Sequence, residues 1–75
     1  MEAKMTIGEK IKAARLELLL TQKEMATELG VSVISIIRWE NGDNPALSMQ
    51  RKFRDYCENK KINFKEWDEH HAYLV

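Results

Sequence analysis

Thr6-Ile7-Gly8-Glu9 and Thr21-Gln22-Lys23-Glu24 each set a hydroxyl three residues ahead of a carboxylate. In this capping-box spacing each of the two side chains satisfies a free amide at a helix start. Two such boxes in one short chain fix two helix origins and leave little room for other architectures. Asn63-Phe64-Lys65-Glu66 is a weaker version with asparagine as the cap. After the first box, Ile7, Ile11, Ala14 and Leu18 fall on one helical face, which predicts a helix over 7–18. The second box opens a helix over 22–29 with Met25, Ala26 and Leu29 facing in. Gly30 is its stop, because glycine takes the left-handed conformation beyond a helix end without steric cost.

The stretch from Val31 to Ile37 is rich in β-branched residues and reads locally as a strand, with Asn41-Gly42 as a hairpin signal. No second alternating run follows for it to pair with. Ser32 as a cap and Asn41-Gly42 as a stop turn it into a third helix over 33–40. A fourth helix starts near Pro45, which suits a first-turn position, and runs to 59 with Leu47, Met49, Phe53, Tyr56 and Cys57 inward. A fifth over 64–70 docks Phe64 and Trp67. The expected fold is therefore all-α: a compact five-helix bundle in a single domain over 1–75, its core within 6–70 and a tail over 71–75. A chain of 75 residues has no surface-to-volume room for a second core.

Composition narrows the function. With 44% apolar and 32% charged residues the chain reads as globular. Its 12 basic and 12 acidic residues cancel, which argues against coating nucleic acid by bulk charge but not against charges sorted onto one face. Cys57 is the only cysteine, so an internal disulfide is impossible and a reducing interior is expected. No long apolar run suggests a membrane span, and Glu2 with the Thr6–Glu9 stretch does not resemble a signal peptide. Adjacent His70 and His71 diverge on a helix, and Glu66 with His70 supplies only two ligands, so no metal is expected. Without a glycine-rich phosphate loop, a Ser/His/Asp set or a cofactor motif, no enzyme is expected either.

A helix over 22–29, a turn on Gly30 and a helix over 33–40 make a helix-turn-helix spanning 22–40. Several residues then carry a resemblance: Ile7-Gly8-Glu9-Lys10-Ile11, Arg15, Thr21-Gln22, Met25-Ala26, Leu29-Gly30-Val31-Ser32, Ser35-Ile36, Trp39-Glu40-Asn41-Gly42 and Pro45. Together they resemble the lambda-repressor and Cro-like DNA-binding domain of the Xre family. That resemblance implies a cytoplasmic, nucleoid-associated bacterial or phage transcriptional regulator, a repressor that binds double-stranded DNA sequence-specifically. It places the third helix in the major groove with Val33, Ile34, Ile37 and Arg38 facing the bases and Ile36 in the core. Gln22 and the amino end of the second helix would hold a phosphate, with Thr21, Ser32, Ser35 and Asn41 as further backbone contacts. Arg15 and Glu40 match a structural ion pair of the family. A homodimer on a two-fold operator, with half-sites about 34 Å apart, is the expected form; Tyr73-Leu74-Val75 is either its contact or a frayed end.

Five positions depart from the family pattern. Val33, Ile34 and Ile37 are aliphatic where polar residues are usual, so Arg38 alone can offer a bidentate bond to guanine. The trio either touches thymine methyls or forms a protein-binding patch, which keeps open a helix-turn-helix used as a protein-interaction module, as in an anti-repressor or antitoxin. Leu19 stands where glycine or asparagine ends the first helix, and either accepts a left-handed conformation or shifts the turn. Asp43 stands where a cation often meets phosphate and would repel it. Arg51, Lys52, Arg54, Lys60 and Lys61 supply charge from the fourth helix or are a solvated face.

Overall fold

A computed structural model describes residues 5–64. Among them the chain forms four helices and no strand: α1 (Ile7–Glu17), α2 (Gln22–Leu29), α3 (Val33–Glu40) and α4 (Leu47–Asn59). The expected fifth helix over 64–70 lies outside the described residues except for Phe64, which is not helical and sits half-buried against the core. Trp67, the histidine pair and the tail over 71–75 lie outside them altogether.

Both capping boxes form. The Thr6 hydroxyl accepts from the Glu9 amide at 3.1 Å while Glu9 accepts from the Thr6 amide at 2.8 Å. Thr21 and Glu24 repeat the exchange at 3.0 and 2.8 Å. These reciprocal bonds occupy amides that have no partner within the helix. The start of α4 differs from expectation. Ala46, extended at φ −60 and ψ 156, precedes the helix without a side-chain cap. The buried Pro45 lies one residue further out, its carbonyl accepting from the Gln50 side-chain amide at 2.9 Å. Pro45 thus closes the preceding loop and is not in the helix's first turn.

All four helices end in one hydrogen-bond pattern, in which a left-handed residue lets the next amide reach back across the last turn. The long closing bonds run from Leu20 to Arg15, Val31 to Ala26, Asp43 to Arg38 and Ile62 to Cys57, at 2.8–3.0 Å. The left-handed residues are Leu19 at φ 59, Gly30 at φ 71, Gly42 at φ 119 and Lys61 at φ 61. Leu19 therefore accepts the strained conformation and does not shift the turn.

The core draws on every helix: Ile11 and Ala14 from α1, Met25, Ala26 and Leu29 from α2, Ile36 from α3, Phe53 and Cys57 from α4. Met49 and Tyr56 pack at its edge, completing the i, i+4, i+7, i+8 stripe of α4. Leu47 does not face inward as expected and is 49% exposed. Two residues before Met49, it is rotated about 200° from that stripe at 100° per residue. Gly8 brings α1 against the end of α3: a Cβ there would collide with the Trp39 carbonyl oxygen. The helix-turn-helix is thus clamped from the α1 side by a contact that only glycine permits.

Candidate nucleic-acid interface

The interface is built from α3 outward. Ser32 caps it, its hydroxyl accepting from the Ser35 amide at 3.2 Å and lying 3.1 Å from the Ser35 hydroxyl. Ile36 is fully buried, which anchors one side of the helix and turns the other outward. On the outer side Ile34, Ile37 and Arg38 follow the i, i+3, i+4 spacing of a single helical edge. Ile34 is 62% exposed, Ile37 38% and the Arg38 side chain 69%. Val33, expected to face the bases with them, is half-buried and packs against the core instead. The reason is rotational: Val33 lies three residues before Ile36 and so shares its face.

The orientation of α3 is locked by a polar network at its carboxyl end. Arg15 Nε donates to Glu40 at 2.8 Å and a second guanidinium nitrogen donates at 3.2 Å, giving a two-bond pair. The two side chains are only 12% and 5% exposed. A third Arg15 nitrogen donates to the Leu20 carbonyl at 3.0 Å, and the Gln22 side-chain amide donates to Glu40 at 3.2 Å. One ion pair thus joins α1, the turn after it, the amino end of α2 and the end of α3. Such charge-assisted bonds are stronger than neutral ones and hold their partners in register.

At the amino end of α2, the Thr21 hydroxyl is committed to its cap. Gln22 is half-buried, with one amide hydrogen on Glu40, and is thereby aimed and partly occupied. The backbone amides of Gln22 and Lys23 are first-turn donors outside the capping exchange. Ser32 and Asn41 are exposed and Ser35 is half-buried. Seven of the nine candidate residues, Ser32 to Asn41, lie on or cap α3, with Thr21 and Gln22 beside it through the Glu40 network.

Two features of the site were not legible in the sequence. The Gln22–Glu40 bond joins residues from different helices, and no spacing rule anticipates it. Asp43, expected only as a repulsive charge, accepts from Arg38 Nε at 3.2 Å. A separation of five is not a same-face helical spacing; the turn on Gly42 folds Asp43 back, its amide donating to the Arg38 carbonyl at 3.0 Å. Beside this pair lies an open hollow of about 350 Å³ lined by Ser35, Arg38, Trp39, Asp43 and Asn44.

The charges of α4 do different work. The Tyr56 hydroxyl donates to Glu28 at 3.0 Å, and Lys60 lies 3.7 Å from the same carboxylate and 5.7 Å from the Tyr56 ring centre. This cluster ties α4 to α2, and burial together with the Glu28 bond pushes the Tyr56 hydroxyl up from 10.0 to about 12. Burial also pushes the Cys57 thiol up from 9.0 to about 12, which leaves it an inert core residue and not a nucleophile. Arg51, Lys52 and Lys61 are exposed, whereas Arg54 is half-buried, its Nε without a hydrogen-bond partner among the described residues. Among those residues no group of three or more His, Cys, Asp or Glu side chains could hold a metal, and no helix is long and apolar enough to cross a membrane.

Residues 11–53, more than half of the chain, match the helix-turn-helix family HTH_3. The match includes all of α2, the Gly30 turn and α3. No curated protein and no solved structure matches the chain.

Proposed function

The chain belongs to the HTH_3 helix-turn-helix family of Xre and lambda-repressor-like DNA-binding regulators, and on that premise we propose that it recognises a specific double-stranded DNA sequence through α3. The proposal extends to a bacterial or phage repressor acting as a homodimer on a two-fold operator. The observation that carries it is the exposed edge of Ile34, Ile37 and Arg38 on a helix locked at one end by the Arg15–Glu40–Gln22 network. A rigid helix with one unburied edge is what insertion into a major groove needs, since base edges differ there in donors, acceptors and the thymine methyl. Arg38 supplies the hydrogen-bond donors; Ile34 and Ile37 supply methyl contacts that favour thymine. Gln22, aimed by Glu40, and the first-turn amides of α2 hold the flanking phosphate, with Thr21, Ser32, Ser35 and Asn41 at the margins. Val33, packed on the core, contributes at most its outer methyl.

Selection of bound duplexes from a random pool tests this. Enrichment of a two-fold site with thymines flanking a guanine is the expected result; no enrichment at low salt from folded protein would overturn it. The exposed isoleucines also favour a second reading, a protein-binding face on the same helix. Salt separates the two, because DNA affinity must fall steeply as salt rises and an aliphatic protein contact need not.

A further inference from the structure

Of the exposed edge of α3, only Arg38 carries hydrogen-bond donors, and that side chain is held by an acid from outside the helix. Asp43 is fixed relative to Arg38 twice, by its amide on the Arg38 carbonyl at 3.0 Å and by its carboxylate on Arg38 Nε at 3.2 Å. The second bond contributes little to folding, because both side chains are exposed, at 69% and 59%, and solvent screens exposed ion pairs. Its geometry is more informative. A guanidinium has five N–H donors; a carboxylate on Nε leaves the two terminal nitrogens free as a fork. That fork is the arrangement a guanine O6 and N7 accept.

We infer that Asp43 is a positioning residue for Arg38, turning a flexible cation into a reader of one guanine. The inference rests on the DNA-binding reading of α3. Two physical effects act together. Holding Nε reduces the rotamer freedom that Arg38 would otherwise lose on binding. The adjacent carboxylate also offsets the charge of Arg38, so the pair brings no net attraction for phosphates and the arginine is not diverted to the backbone of arbitrary DNA. Asp43 therefore lowers affinity for duplexes that lack the guanine and raises the contrast between them and the site that carries it. A general charge effect would change affinity alone.

The test uses two duplexes, the selected site and the same site with its Arg38-dependent guanine replaced by adenine, that guanine being the one whose replacement Arg38→Ala no longer senses. Affinities of the full chain are measured on both by fluorescence anisotropy across a salt series. Asp43→Ala is expected to tighten binding to the adenine duplex and to steepen the salt slope by about 0.9. The guanine-to-adenine affinity ratio should fall by roughly three- to tenfold, a part of what one bidentate contact discriminates. Asp43→Asn, which keeps an acceptor for Nε without the charge, should show the steeper slope yet retain much of the ratio. An unchanged melting temperature in both variants excludes unfolding as the cause. If the wild type discriminates and Asp43→Ala discriminates equally well, the positioning role is wrong while the reading of α3 stands. If the wild type binds both duplexes alike, or neither, the reading of α3 falls and this inference with it.

Discussion

Among the described residues two arginine–carboxylate pairs meet α3, and they differ in everything but chemistry. Arg15–Glu40 is nearly buried, doubly bonded and shared with Leu20 and Gln22. Arg38–Asp43 is open to solvent and joined through one bond. The α3 members, Arg38 and Glu40, are two residues apart and so point about 200° away from one another. Burial decides what each pair does. In the first, each group depends on the other, since a charge left alone in the interior is costly; the pair is scaffold. In the second, water can replace either partner, so the bond adds little to stability and leaves a cation on the outer edge of the helix.

The contrast can be broken from either side. Glu40→Ala should cost about 3–5 kcal/mol of stability, the penalty for a stranded buried charge, read by urea unfolding. A cost below about 1 kcal/mol would make the two pairs equivalent. Arg38→Ala should do the opposite, leaving unfolding within about 0.5 kcal/mol of wild type while removing about 1–3 kcal/mol of discrimination at one base pair. Unchanged base preference would remove Arg38 from direct readout.

Leu19→Gly sharpens the point on the scaffold side. It removes left-handed strain at a site 89% exposed and should raise stability by about 1 kcal/mol. The same substitution should leave DNA affinity unchanged in anisotropy titrations. Alkaline pH gives a graded effect on the buried α4 face. Tyr56 and Cys57 both have raised pKa values in the fold, so the stability they contribute is complete below their unfolded values. It is lost as pH rises through about 9 to 12. Tyr56→Phe should make the loss of stability shallower above pH 10, followed by urea unfolding at stepped pH; an identical pH profile would mean that Tyr56 does not contribute.

The scaffold was largely legible in the sequence because its signals are local. Thr6, Thr21 and Ser32 mark helix starts through partners three residues away, and Gly30 marks a stop through its own backbone. The same logic resolved the β-branched run over 31–37 as helix, and the bounds 22–29 and 33–40 agree with the structure. What was not legible depends on how helices meet. Gly8 matches the family pattern, but its reason, the Trp39 carbonyl from another helix, becomes visible only in the fold. Pro45 does not fix the start of α4 in the sequence, because proline is compatible with both a first turn and the loop before it. Val33 packs partly on the core and Leu47 turns away from it, because exposure is set by rotation about the helix axis relative to Ile36 and Phe53. The Arg38–Asp43 bond crosses a helix end, where sequence spacing no longer maps onto a face.

The most direct measurement of the central claim is two-dimensional amide NMR of the labelled protein during titration with the selected duplex. The expected shifts concentrate on Gln22, Lys23, Ile34, Ile37, Arg38 and Asn41, with the buried Arg15 and Glu40 amides moving little. Shifts confined to the α4 residues Arg51 and Lys52, or none at all, would contradict the assignment of α3 as the surface that reads DNA.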